Sequence, residues 1–237
     1  MKIRLIAALL LVVMLVSGVV YIKEIYLPQS FFGTELRPDL QRYYDSKVIE
    51  FEKENAEIEQ GSIDVAFIGD SLTDHYDLEK FYPSITTLNR GIAGDNSHGL
   101  ERRLEVSLYD VQPRVVVLMI GSNNLCGMMQ NYEDILVSMR ENMPNTDIII
   151  QSVPPMDGIL RKWNNGIIAY NNVEVKALAE KYGCEFVDTF THLLDHENNV
   201  LRAEYTYDGL HFVDAGYEVI TAQLRPVIDR LLADEGK

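Results

Sequence analysis

The chain has 237 residues and a mass of 27.0 kDa, which suits one domain with a short additional segment. Hydrophobic residues make up 47% of the chain and charged residues 24%, which excludes a disordered chain and a multi-pass membrane protein. The formal net charge is -15, so the surface should repel phosphate backbones, and we expect no nucleic-acid partner.

The first 30 residues differ in composition from the rest of the chain. Lys2 and Arg4 precede an apolar run of 18 residues, from Leu5 to Ile22. This length lies at the lower edge of the range for a membrane-spanning helix and exceeds the usual core of a signal peptide. We therefore predict an N-terminal hydrophobic helix within residues 1–30 that anchors the chain in the membrane.

The basic residues before the apolar run predict its orientation. They should stay in the cytoplasm, so residues 31–237 would form one domain outside the membrane. The alternative is a signal peptide cleaved after Gly18, which would release that domain as a secreted protein.

After a linker at residues 28–35, helical and strand-like patterns alternate along the chain. Helices are predicted over residues 36–60, 97–108 (with Ser97 as the N-cap), 132–143, 164–182 and 214–232. Strands are predicted over residues 63–68, 86–90, 114–120, 147–153 and 185–188. The third and fourth strands are continuous apolar runs, as expected for strands buried on both faces. The pattern predicts an α/β fold with a five-stranded parallel sheet covered by helices on both faces.

The two cysteines are too few for a disulfide scaffold. Cys126 follows the third strand and Cys184 precedes the last strand, so they should lie at opposite edges of the sheet. A strand length separates these edges, roughly 17–20 Å, whereas a disulfide needs Cα atoms within about 7 Å. We expect two free thiols.

Four polar clusters follow predicted strands, at the edge where parallel sheets bind their ligands. They are Gly-Asp-Ser-Leu-Thr at 69–73, Gly-Ile-Ala-Gly-Asp-Asn at 91–96, Gly-Ser-Asn-Asn at 121–124 and Asp-Gly-Leu-His at 208–211. Each cluster alone is weak evidence, because such residues usually form turns. Their convergence on one edge predicts a functional site.

The clusters contain the groups that acyl transfer requires. Ser71 is a poor nucleophile unless a base accepts its proton, and His211 is a candidate base. Asp208 lies three residues earlier and can bond the other ring nitrogen. His75, four residues after Ser71, is a rival base, but the Asp-x-x-His spacing favours His211.

The developing oxyanion also requires fixed hydrogen-bond donors. A serine between a strand end and a helix start offers its own backbone N–H. Gly94 can offer another, because its backbone can approach a substrate closely without a Cβ. Asn123 can add a side-chain amide, so Ser71, Gly94 and Asn123 form a candidate oxyanion hole.

In these four clusters the chain resembles the SGNH, or GDSL-type, hydrolases. The clusters match the sequence blocks of that family in order, over about residues 61–232. The resemblance implies a flavodoxin-like three-layer α/β/α sandwich and serine ester hydrolysis without a cofactor. One difference is Asn124, where the third block often ends in aspartate.

The resemblance also implies individual roles. Ser71 would be the nucleophile, His211 the base and Asp208 the residue that orients it. The oxyanion hole would consist of Ser71, Gly94 and Asn123. Asn124 is not one of these donors, so we do not interpret its presence as a loss of activity. We expect no metal site, because the histidines and aspartate at 192, 195 and 196 have no clear fourth ligand.

We therefore predict a membrane-anchored, extracytoplasmic serine esterase. Its expected substrate is a small acyl ester on a small molecule or a glycan, such as an O-acetyl group. The sequence leaves three alternatives open: a lysophospholipase or thioesterase, an O-acyltransferase, and a non-catalytic glycan-binding module.

Overall fold

The computed structural model describes residues 38–158 and 164–234. The predicted N-terminal hydrophobic helix and the linker after it lie outside these residues. Within the described part of the chain, no helix is both long and apolar enough to cross a membrane.

A five-stranded parallel sheet forms the centre of the domain. Its strands are β1 Val65–Gly69, β2 Thr87–Gly91, β3 Val115–Met119, β4 Asp147–Gln151 and β5 Glu185–Val187. They lie in the order β2-β1-β3-β4-β5, and every neighbouring pair is parallel. This is the flavodoxin-like strand order. All five predicted strands are confirmed, with bounds that differ from the prediction by at most two residues.

Helices precede the first strand, connect the strands and follow the last one. They are α1 Pro38–Asn55, α2 Ser71–Asp74, α3 Leu78–Phe81, α4 Ser97–Arg102, α5 Tyr132–Asn142, α6 Asn164–Lys181, α7 Phe190–Leu193 and α8 Asp214–Ala233. Short antiparallel strands, β6 Leu194–Asp195 and β7 Val200–Leu201, pair between α7 and α8. The sequence patterns did not predict α2, α3, α7 or this small sheet, because each is too short to show a period.

The predicted helix over residues 97–108 is interrupted. Helix α4 ends at Arg102, and a π-helical turn follows at Glu105–Tyr109. The N-cap is Asn96 rather than Ser97, because the Asn96 side chain accepts the Gly99 N–H at 2.9 Å. The Ser97 hydroxyl instead donates to Asn131, so the prediction for Ser97 was wrong.

Apolar side chains from the sheet pack on both of its faces. Along β3, Val116 and Leu118 join the core that contains α5 and α6, whereas Val115 and Val117 join the core that contains α8. This alternation follows from the two-residue period of a strand. The helices therefore form a layer on each face of the sheet. Helix α1 packs separately, through Tyr44 and Phe51, against the residue that follows β2.

Two asparagines of α6 hold the loop that follows β4. The Asn172 amide bonds both the N–H and the C=O of Val153, at 2.8 and 2.9 Å. The Asn165 amide does the same for Met156, at 2.8 Å in each direction. This loop then reaches the last polar cluster, where the Asp157 N–H donates to the Gly209 carbonyl at 2.7 Å.

The cysteines are confirmed as free thiols. Cys126 is exposed and Cys184 is partly buried.

Candidate active site

The predicted polar clusters meet at the carboxyl edge of the sheet. Gly69 at the end of β1 is paired with Gly91 at the end of β2 and with Met119 at the end of β3. The loops that follow these three strands therefore start side by side. Ser71 is the first residue of α2, directly after the N-cap Asp70.

The structure brings Ser71, His211 and Asp208 together. His211 Nε2 lies 3.0 Å from Ser71 Oγ, and His211 Nδ1 lies 2.7 Å from Asp208 Oδ2. Ser71 is buried, whereas the side chain of His211 is 23% exposed, so the pair faces a surface that a solute can reach. The rival base, His75, lies beside His211 with ring centroids 5.3 Å apart, but the ring nitrogen within hydrogen-bonding distance of Ser71 Oγ belongs to His211.

Asp208 is a well-bonded carboxylate. Its Oδ1 accepts the backbone N–H groups of Leu210 and His211 at 2.9 and 2.8 Å. Partial burial acts to raise the pKa of Asp208, but the bonds from the His211 ring and from the two backbone groups outweigh burial and lower it. An ionised carboxylate only accepts, so Nδ1 of a neutral His211 carries the proton and Nε2 can accept one from Ser71.

Hydrogen bonds within the last loop fix the main chain of His211. The Thr206 hydroxyl donates to the His211 carbonyl at 2.7 Å, and the Tyr207 N–H donates to it at 3.3 Å. The Tyr207 ring stacks on the His211 ring, with centroids 5.8 Å apart and planes at 16°. Gly209 has a φ of +85°, and a Cβ there would lie 2.8 Å from the Asp157 carbonyl oxygen.

The candidate oxyanion donors lie on three neighbouring loops. Within residues 38–158 and 164–234, the backbone N–H groups of Ser71 and Gly94 have no acceptor. The Asn123 amide donates one N–H to the Asp95 carbonyl at 2.8 Å, which leaves its second N–H available. Asn124 is buried and bonds the Ser97 hydroxyl at 2.9 Å, so it holds the third loop against α4.

Asp70 has a larger role than the turn formation that its sequence position suggests. Its Oδ1 accepts the Leu72 N–H at 3.0 Å, and its Oδ2 accepts the Ser122 hydroxyl. It thereby connects the first and third clusters. The carboxyl is fully buried, and burial raises its pKa to about 6, although the bonds from Ser122 and Leu72 act to lower it.

A buried ion pair that sequence reasoning missed lies directly behind the site. Arg103 Nε donates to Asp95 Oδ2 at 2.8 Å, and both side chains are fully buried. The sequence contained a signal for this pair. In the helix predicted over residues 97–108, Arg103 lies three positions after Leu100 and so shares its face, and a charge on an apolar face requires a buried partner.

Comparisons with known proteins identify the family to which the chain belongs. The profile of the GDSL-like lipase/acylhydrolase family matches residues 67–219. The human platelet-activating factor acetylhydrolase IB subunit alpha2 is 27% identical over 183 residues, which are 72% of this chain and 78% of that protein. A solved structure from Streptococcus pneumonia, provisionally described as a platelet activating factor, is 28% identical with a TM-score of 0.71. That likeness covers 80% of this chain and 94% of the other.

A further relative matches over a smaller part of its own length. The N-acylneuraminate cytidylyltransferase of Escherichia coli O18:K1:H7 is 28% identical over 177 residues. These residues are 70% of this chain, but the chain spans only 40% of that relative.

The raised pKa of the buried Asp70 predicts how the stability of the protein changes with pH. Its pKa is about 6 in the folded state and 3.8 in the reference state, so the folded protein holds the proton more tightly. The stability that the neutral carboxyl contributes is present below pH 3.8 and is lost as the pH rises through about 6. Asp70→Asn removes this titration while it retains an acceptor for Leu72.

Relative to the wild type, the Asp70→Asn variant should therefore gain about 2 kcal/mol of unfolding free energy between pH 4 and pH 7. Denaturant unfolding of both proteins at the two pH values measures this difference, because titrating groups that do not interact with Asp70 contribute equally to both proteins. Parallel pH profiles for the two proteins would contradict the raised pKa.

Proposed function

Because the chain belongs to the GDSL-like lipase/acylhydrolase family, and is therefore a serine ester hydrolase, we propose that Ser71, His211 and Asp208 form its catalytic triad. One observation carries this proposal: the His211 ring lies between Ser71 Oγ at 3.0 Å and Asp208 Oδ2 at 2.7 Å. These are the contacts that a serine, its base and an orienting carboxylate require.

The first half of the proposed reaction forms an acyl-enzyme. Ser71 Oγ attacks the ester carbonyl carbon, and His211 Nε2 takes the hydroxyl proton. Asp208 stabilises the imidazolium that forms, because its carboxylate bonds Nδ1. The tetrahedral intermediate then collapses, the bond to the alcohol oxygen breaks, and His211 returns its proton to the departing alcohol.

The second half releases the acyl group. Water attacks the acyl-enzyme carbonyl while His211 takes one of its protons, and Ser71 leaves with that proton restored. In both halves the negative oxygen would be bonded by the N–H groups of Ser71 and Gly94 and by the free N–H of Asn123. Donors that are fixed before the reaction need no reorganisation in the transition state.

We propose an acetyl or similarly short acyl ester as the substrate, with a neutral glycan as the alcohol. The acetylhydrolase relative supports a short acyl group by its name. Tyr207 stacks on His211, where the alcohol would receive its proton, and the Tyr207 residue is 65% exposed. An exposed aromatic ring offers a sugar a surface for stacking. The net charge of -15 disfavours an anionic alcohol.

The alternatives predict other preferences. A lysophospholipase or thioesterase would prefer long acyl chains, and an O-acyltransferase would pass the acyl group to an added sugar rather than to water. The non-catalytic glycan-binding alternative is not supported, because the chain belongs to an acylhydrolase family.

We also propose that residues 1–30 anchor the enzyme in the membrane and that residues 31–237 form the hydrolase domain outside it. The apolar run from Leu5 to Ile22 and the basic residues before it support this location.

The full chain should therefore fractionate with membranes, and protease added outside should digest the domain. A mature N-terminus at Val19 would instead identify a cleaved signal peptide and a secreted enzyme.

Replacement of the proposed nucleophile tests the mechanism. Ser71→Ala should lower the hydrolysis rate of a simple acetyl ester by at least about 10³-fold and abolish labelling by a fluorophosphonate probe. His211→Ala should have a similar effect, and Asp208→Asn should leave more activity because the histidine is only poorly oriented. His75→Ala is the matched control and should retain activity. An inactive His75→Ala beside an active His211→Ala would assign the base to His75.

A series of esters tests the substrate class. For acetyl, butyryl and octanoyl esters of one alcohol, kcat/KM should be highest for acetyl and fall as the chain lengthens. O-acetylated neutral glycans should be hydrolysed faster than acetylated alcohols that carry a phosphate. A preference for octanoyl esters or thioesters would contradict the proposal, and transfer of acetyl to an added sugar would identify an acyltransferase.

A further inference from the structure

The turn that carries Gly94 determines where its N–H points. The Asp95 N–H donates to the Ile92 carbonyl at 3.1 Å, which closes a four-residue turn. Gly94 is the third residue of this turn and has a φ of +81°, as in a type II turn. The peptide between Ala93 and Gly94 is therefore the one whose rotation would redirect the candidate oxyanion donor.

Helix α1 contacts this turn directly. A Cβ on Gly94 would lie 2.8 Å from Leu40 Cδ2, so the Leu40 side chain packs on the glycine. One turn further along α1, the Tyr43 hydroxyl donates to Asp74 Oδ2 at 2.8 Å. The same carboxylate oxygen accepts the Ala93 N–H at 2.9 Å.

These bonds connect three parts of the site. Asp74 is the last residue of α2, the short helix that begins at Ser71. Its carboxylate thus joins the serine helix to the residue before Gly94, and Tyr43 fixes the carboxylate from the other side. Burial, and then the bond from Tyr43 to Asp74, raises the pKa of Tyr43 to about 12, so the hydroxyl stays a donor at neutral pH.

We propose that Tyr43 and Asp74 are positioning residues, which hold the Ala93 N–H and thereby restrain the adjacent Ala93–Gly94 peptide so that the Gly94 N–H points at the oxyanion. This inference rests on the proposed function, because it takes Gly94 as an oxyanion donor. It also extends the site beyond the family profile, since α1 lies before residue 67, where that match begins.

The Tyr43→Phe variant tests the proposal in the full-length protein. It removes one hydroxyl and leaves the ring in place. Without that donor the carboxylate gains freedom, and the Gly94 N–H should be aligned less often in the transition state. We expect kcat for an acetyl ester to fall roughly 10-fold with little change in KM, because the lost interaction acts in the transition state. Asn123→Ala, which removes a donor itself, should cost more, roughly 10²–10³-fold.

Tyr182→Phe is the matched control. The Tyr182 hydroxyl donates to the Glu133 carboxylate at 2.6 Å, far along the chain from the site residues and on the side of α5 and α6. It should lower the melting temperature by a similar amount and leave kcat unchanged. Equal losses of kcat in both tyrosine variants would show a general effect of stability and would overturn the proposal.

Replacement of Asp74 separates positioning from packing. One oxygen accepts both bonds, so Asp74→Asn can supply that acceptor and should retain most of kcat. Asp74→Ala removes the acceptor and should lower kcat at least as much as Tyr43→Phe. Rates are taken per active site, from fluorophosphonate titration, so that unfolded protein does not count.

The outcomes distinguish this proposal from the triad. An active Ser71→Ala variant would overturn the proposed function itself. An inactive Ser71→Ala variant together with an unchanged kcat for Tyr43→Phe would overturn only the positioning role, and would leave Tyr43 as a residue that attaches α1 to the domain.

Discussion

The arrangement of the site loops depends on the buried guanidinium of Arg103. Its Nε donates to Asp95, and its terminal nitrogens donate to the carbonyls of Arg90 and Gly69 at 2.8 and 2.9 Å. A buried ion pair is stabilising only when its other hydrogen-bonding groups are also satisfied. Here the carbonyls at the ends of β1 and β2 satisfy them. Removal of Arg103 would leave a buried carboxylate unpaired, which costs about 3–5 kcal/mol in comparable cases.

The same ion pair holds together the groups that we assign to catalysis. Gly69 precedes the Asp70-Ser71 segment, and the Asp95 main-chain carbonyl accepts the amide of Asn123 at 2.8 Å. The loop of the proposed nucleophile and the loops of two proposed donors are therefore fixed to one rigid group. Hydrogen-bond donors stabilise an oxyanion best when they need little reorganisation in the transition state. Burial of Arg103 beneath the loops, rather than within the reaction space, provides this rigidity without placing a positive charge beside the histidine.

The sequence predicts β3 and β4 because each is a continuous apolar run, and it predicts the other strands from their alternation with helices. It places Ser71 at the ligand-binding edge because parallel strands end there, whereas the resemblance to the family implies that Asp208 and His211 join it. It fails where a distant polar contact decides the local structure. Ser97 has the residue type of an N-cap, yet its hydroxyl is bonded to Asn131, 34 positions away, and Asn96 caps the helix. The bond from Tyr43 to Asp74 spans 31 positions, and no local pattern marks either residue. Such contacts follow from packing that composition and periodicity do not encode.

The two contacts of His211 are held in different ways. Asp208 lies three positions away and bonds both the ring and the main chain of His211, so this contact is formed within one turn. Ser71 lies 140 positions away, and its contact depends on how the last loop docks. That docking relies on the hydrogen bond from Asp157 to Gly209. Two asparagines of α6 in turn hold the loop that contains Asp157 through their side-chain amides. A substitution that removes the hydrogen bonds from these α6 asparagines would therefore separate Ser71 from His211 while Asp208 and His211 stay paired. The serine–histidine distance is the more easily perturbed of the two, because it depends on the packing of several elements rather than on one turn.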